Sequence, residues 1–325
     1  MLATFILLVA VFFWFQRYIV HTPDGVRLDI PFLRGILDEI PEADPDADTQ
    51  EEASVIPVTP ADTAEYDQSV MPPDLPPFRS VLITAEDLER MPDVNLTLEG
   101  ARADAILIPV NDETGQLWWR SDVGTATRYA LYGTGDLNLM LETIAPEIGR
   151  SALLVGFHNR LMAQRNPPAG LYGAEYWLDP RNVEMRDYIR DLALELGQMG
   201  FDEIVLKDFS FPPDYTDAEE AVILAFLQEL VNALSLIDVS LGVVTRESDW
   251  YAPDGDVYPS RPGPAQLSDI ALRLYCVLDP ETAADPERYE ALMAAVQSVL
   301  GGGAYRFVPI GPGSSSDGIN WVVQL

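Results

Sequence analysis

Positive charge is scarce in this chain. A single lysine, Lys207, serves all 325 residues, and Lys and Arg together number 20 against 52 Asp and Glu, for a net charge of -32. Such a surface repels phosphate backbones and anionic lipid headgroups, so nucleic acid is excluded as a partner. One cysteine, Cys276, excludes an internal disulfide and a thiolate metal cluster. It stands in the apolar run Leu274-Tyr275-Cys276-Val277-Leu278 and reads as a small core residue. The two histidines and the cysteine form no group with metal-ligand spacing, and Asp112, Glu113 and Glu247 lack EF-hand spacing, so neither metal nor cofactor is expected. No Gly-rich phosphate loop follows an early strand, which counts against a doubly wound nucleotide-binding sheet.

Charge is also absent from Leu2 to Phe15, an apolar stretch that extends past Gln16 and Arg17 to Val20. At about 1.5 Å per residue it covers roughly 21 to 28 Å of a hydrocarbon core of about 30 Å, with Arg17 reaching to the interface. No basic leader and no small-x-small cleavage site precede His21-Thr22-Pro23-Asp24-Gly25, so residues 1–20 are expected to be an uncleaved, single-pass transmembrane helix. From Asp38 to Asp74 there is no Lys or Arg, and acidic residues are spread among Pro, Ala and Thr. Self-repulsion and little apolar area predict that residues 21–77 form a juxtamembrane segment and a disordered acidic linker.

Beyond Pro77 the pattern changes. Apolar runs recur at Val81–Thr84, Ala105–Val110, Ala152–Phe157, Glu203–Phe209, Val239–Thr245, Ile270–Val277, Tyr305–Ile310 and Ile319–Leu325. Amphipathic stretches lie between several of them, at Leu137–Ile148, Val183–Met199, Ala218–Ile237 and Glu287–Leu300. In Val183–Met199 the apolar residues Met185, Ile189, Leu192, Leu196 and Met199 mark one buried helix face. Eight buried strands alternating with helices over about 250 residues predict an α/β fold, a (β/α)8 TIM-type barrel over residues 78–325. Helices after the first, fifth and seventh strands look short or absent, so the outer helix ring is expected to be incomplete.

Function in such a barrel sits at the carboxyl ends of the strands and in the loops that follow. Those positions hold Asn111, Asp112 and Glu113; His158, Asn159 and Arg160; Lys207 and Asp208; Arg246, Glu247, Asp249 and Trp250; Tyr275 and Asp279. The set is polar enough to hold a sugar. Trp250 and Tyr251 offer a stacking face, and Trp118-Trp119 either widens it or packs a loop on the rim.

The segment Gly200-Phe201-Asp202-Glu203-Ile204, with Phe211-Pro212 following, resembles the central signature of a bacterial glycoside-hydrolase-like family whose barrel is similar to that of alpha-amylases. That signature runs roughly G-F-D-E-I-Q-F-D-Y-V-R-F-P. Tyr176-Trp177-Leu178-Asp179-Pro180 followed by Tyr188 resembles the family's W-L-D-P segment, and Ile108 to Gly115 resembles its I-D-V-K-D-D-S-G. His21 to Arg27 is similar to the membrane-proximal stretch of anchored members. The resemblance implies a divergent member that meets carbohydrate or polysaccharide outside a bacterial cell, on its cell-membrane anchor. In the ungapped alignment Lys207 stands where the family has its second aspartate, Ser210 replaces the arginine, Pro109 an aspartate and Asn111 a lysine.

The lysine bears on mechanism. Glycosidases place two carboxyl groups across the scissile bond, and their transition state is cationic. At about 4 Å and an effective dielectric near 20, a carboxylate stabilises that cation by roughly 4 kcal/mol and an ammonium opposes it by a similar amount. The swing of about 8 kcal/mol is about six powers of ten in rate. Impaired catalysis with retained carbohydrate binding is therefore expected. One alternative is an active glycosidase using Asp208, Glu247 or Asp249, with Asp112 or Glu113 as partner; strict strand alternation points Asp208 away from the mouth unless a bulge intervenes. Another is Schiff-base lyase chemistry at Lys207, which needs an amine depressed by burial or a cation such as Arg246 or Arg160.

Overall fold

The computed structural model describes residues 78–324, apart from residues 92, 214, 252–261 and 313–319, together with the backbone of a separate two-stranded hairpin. That hairpin pairs Ile19–Thr22 with Gly25–Leu28 in antiparallel register, Ile19 opposite Leu28. Residues 19 and 20, expected at the end of the membrane span, fall in its first strand, and residues 25–28, expected in the juxtamembrane segment, form its second. Residues 1–18 and 29–77, with most of the expected anchor and the acidic tether, lie outside the described residues. Among the described residues no helix is long and apolar enough to cross a membrane.

The second unit is built on eight parallel strands that close into a barrel. They are β1 (Arg79–Leu82), β2 (Ala105–Pro109), β3 (Gly149–Val155), β4 (Glu203–Lys207), β5 (Ser240–Arg246), β6 (Arg273–Val277), β7 (Phe307–Gly311) and β8 (Trp321–Gln324). Each pairs with the next, and β8 returns to β1 with Trp321 opposite Arg79. Each of the eight expected runs overlaps a strand. The limits differ where polar residues carry pairing: β3 starts at Gly149 because Arg150 N donates to Asp202 Oδ2 and Ser151 Oγ to Glu203 Oε2.

Alternation along the strands divides the core in two. Leu107, Val205, Val244, Tyr275, Val308 and Val322 fill the barrel interior, whereas Ile204, Leu206 and Val243 join the larger layer under the helices. Helix α1 (Val183–Met199) buries the face marked by Met185, Ile189, Leu192 and Leu196, and ends at Gly200, whose φ of 106° takes the left-handed turn that feeds β4. Helix α2 (Glu220–Ser235) packs beside it, and α3 (Pro286–Leu300) packs on the short helices Ser248–Tyr251 and Pro264–Ser268. The expected helix at Leu137–Ile148 is only Leu137–Leu141, since Pro146 disfavours helix at the residue before it. After β1 and β5 the helices are short, as the sequence implies.

One buried polar cluster lies inside the barrel, on the amino-terminal side. Glu203 Oε2 accepts hydrogen bonds from Tyr275 Oη at 2.7 Å and Ser151 Oγ at 3.0 Å, and Arg273 Nη1 stands 3.2 Å from Oε1. Arg273 lies over the ring of Phe78 at 4.2 Å. Gly242 leaves them space: a Cβ there would stand 2.7 Å from the Tyr275 ring and 3.0 Å from Glu203 Oε1.

Candidate functional site

Lys207 is the last residue of β4 and shares the inward face with Val205 and Glu203. Its ammonium Nζ meets Glu113 Oε1 at 2.5 Å. Glu113 comes from the turn after β2, which its own sequence shapes: Asp112 Oδ1 accepts from Thr114 N at 2.9 Å, and Gly115 adopts φ 82°. A side chain at Gly115 would also collide with Asn159, whose amide caps the helix Arg160–Arg165 by accepting from Met162 N. Arg160 N then donates to the Glu113 carbonyl at 3.2 Å, seating the turn on that helix. The hydrogen bond from Lys207 holds the Glu113 carboxyl below its ordinary value of 4.5, burial opposing.

Asp208 follows with φ 50°, in the left-handed region where aspartate is among the better tolerated residues. This departure interrupts strand alternation, so Lys207 and Asp208 both line one cleft of about 400 Å³. Pairing with the chain after β3 continues all the same, Gly156 N donating to the Lys207 carbonyl and Phe157 N to that of Asp208. Asp208 Oδ2 stands 3.8 Å from His158 Nδ1, and the imidazole stacks on Trp177 with ring centres 4.9 Å apart. Arg246, Ser248 and Ser210 line the same cleft.

Other expected site residues serve the scaffold. Asn111 is bonded at both ends of its amide to Val155, from whose N–H it accepts at 2.7 Å, extending the β2–β3 ladder by a side chain. Glu247 borders the cleft, but its oxygens accept from Asp279 N at 3.0 Å and Thr282 Oγ1 at 2.6 Å. Asp249 Oδ2 accepts from Arg246 N at 2.8 Å, closing the turn after β5.

Two residues expected to face ligand do not. Trp250 is 1% exposed, meets Phe307 edge-on and donates to Thr245 Oγ1, because its apolar area turns it inward from the short helix Ser248–Tyr251. Tyr275 is fully buried in the barrel interior on Glu203. Trp119 is likewise core, its indole N–H donating to Glu195 Oε2. Cys276 is buried beside them, and burial pushes its thiol up to about 12. Strand-end reasoning did not single out Trp177 or Tyr215, which line a neighbouring depression; for Trp177 the available signal was the W-L-D-P resemblance.

No family model and no curated protein matches the chain. Among solved structures it is similar to the PgaB (BpsB) glycoside hydrolase domain from Bordetella bronchiseptica, at 14% identity and a TM-score of 0.54, over 77% of this chain and 94% of that one. A chitinase from Chromobacterium violaceum matches at 13% identity and TM-score 0.44, over 72% and 68% of the two chains. The GH20 beta-N-acetylhexosaminidase from Streptomyces coelicolor A3(2) matches at 12% and 0.44, over 72% and 48%. The PgaB likeness establishes a fold shared with a glycoside hydrolase domain: a closed parallel eight-stranded barrel.

Proposed function

We propose that the barrel binds polysaccharide of the cell envelope or extracellular matrix, with hydrolysis impaired, and that residues 1–20 tether it to the outer face of a bacterial cell membrane. The observation that carries this reading is the Lys207–Glu113 pair at 2.5 Å. An ammonium stands at the mouth where the family resemblance expects a carboxylate, and Glu113 acts as its counter-ion. The barrel shared with the PgaB glycoside hydrolase domain supports the carbohydrate reading at the level of fold.

A second reading, active glycosidase chemistry, has an observation of its own. Asp208 lines the cleft 3.8 Å from His158, and Glu113 lies on Lys207, the residue before Asp208. Glu247 and Asp249 are engaged with backbone groups, so Asp208 and Glu113 are the carboxylates for that reading. Schiff-base lyase chemistry has no comparable support, because the Lys207 amine faces a carboxylate rather than an apolar wall.

The two readings separate in one experiment. The full chain is assayed on aryl glycosides and cell-wall polymers, for retention on the polymer and for released sugar. Retention without turnover is the expected result. Hydrolysis that is abolished by Asp208→Asn and untouched by Lys207→Met overturns it.

A further inference from the structure

Beside the Lys207 cleft a second depression of about 230 Å³ opens between the Gly173–Trp177 segment and the loop after β4. Trp177 and Tyr215 line it, and each ring is backed by a parallel partner. Trp177 lies on His158 with planes 3° apart, and Tyr215 lies on Phe211 at 5.6 Å, also at 3°. Phe211 is 1% exposed, so the core fixes the second stack. Arg181 caps that stack, its guanidinium 5.6 Å from the Phe211 ring centre and its Nη2 donating to the Tyr215 hydroxyl at 3.3 Å.

The rest of the lining is small or stiff: Ala174, Gly173, Pro212 and Pro213, with the Glu175 carboxylate at the edge. Rings already held in place lose little conformational freedom when a ligand docks on them. The backbone is set for the same purpose. Tyr176 sits at φ 69°, an uncommon conformation for a bulky residue, and its carbonyl accepts from Asn159 N at 2.8 Å, which turns Trp177 onto His158.

His158 lies between one lining residue of each depression, stacking on Trp177 on one side and standing 3.8 Å from Asp208 on the other. We propose that the Trp177–Tyr215 depression is a second carbohydrate subsite, taking the C–H face of a pyranose further along the same chain that enters the Lys207–Asp208 cleft. Flat aromatic surface matches a ring whose hydroxyls are equatorial and whose axial hydrogens form an apolar face. Glu175 supplies an acceptor for the hydroxyls at its rim. This inference rests on the polysaccharide reading.

The test is a glycan microarray with the full chain in detergent, then calorimetric titration of the best-retained glycan as a length series from the disaccharide upward. Wild type gains affinity with length. Trp177→Ala, and Ala174→Trp, which fills the depression while keeping the His158 stack, lose roughly tenfold on long oligosaccharides and keep wild-type affinity for the disaccharide. If Trp177→Ala does not fold, Ala174→Trp decides alone. Unchanged affinity at every length, or an equal loss at every length, overturns the second subsite and leaves the polysaccharide reading standing. Retention of no glycan by wild type overturns both.

Discussion

Lys207 and Glu113 form an ion pair across the barrel mouth, Nζ to Oε1 2.5 Å, although 94 positions separate them in the chain. Their side chains are 34% and 46% exposed, so water screens the pair and its worth to stability is on the order of 1 kcal/mol or less. Its weight is electrostatic and local. It places an ammonium, with its own counter-ion, at the end of β4.

Stability should therefore depend on acid in a defined window. The Glu113 carboxyl is depressed in the folded state by the Lys207 hydrogen bond, so its contribution is present above the unfolded value of 4.5 and disappears as pH falls through the lowered folded value. Calorimetric melting of wild type and Glu113→Gln should show wild type the more stable at neutral pH by about 1 kcal/mol or less, with the gap closing as pH falls below 4.5 and shrinking in high salt. A gap that widens in acid would contradict the pairing.

The polar cluster inside the barrel should be far more costly to disturb. Glu203→Ala strands Arg273 in a site where it is only 17% exposed and should cost about 3 to 5 kcal/mol. Tyr275→Phe removes one hydrogen bond to a charged acceptor and should cost roughly 2 kcal/mol. Gly242→Ala has no φ penalty but drives a methyl toward the Tyr275 ring and should cost about 1 to 3 kcal/mol. Urea unfolding ranks the three; a neutral Glu203→Ala would show that the cluster is not coupled to folding.

Asp208 offers a test of backbone against chemistry. Its φ of 50° suits glycine better than any side chain, so Asp208→Gly should leave stability unchanged or raise it by about 1 kcal/mol, while Asp208→Val lowers it by at least as much. Because the carboxylate lines the cleft, Asp208→Gly should weaken polysaccharide retention at the same time. Melting temperature and polymer pull-down on the same samples read both. A clearly destabilised Asp208→Gly would mean that its carboxylate matters more to folding than the turn does.

Much of the scaffold was legible from residues alone. Val183–Met199 is helix to the residue, because its apolar spacing and the following Gly200 are local signals. The helix expected at Leu137–Ile148 failed for a reason also in the sequence, Pro146, whose effect outweighs apolar spacing. The site was less legible. Trp250 and Tyr275 stand where a barrel displays ligand contacts, yet both are buried, since neither nearness to a strand end nor strand alternation says how deep an aromatic ring will sit.

Sequence by itself determined that eight apolar runs alternate with helical or loop segments and that the single lysine lies near the end of the fourth, because burial of a strand or helix face is written in spacings of two to four residues. Only the tertiary structure decided that Glu113 is the carboxylate that meets Lys207, that a left-handed turn brings Asp208 into the same cleft, and that Trp177 and Tyr215 line one depression. Those relationships join separate loops around a closed barrel. They depend on strand register and turn geometry, which fix distances between residues that no local periodicity connects.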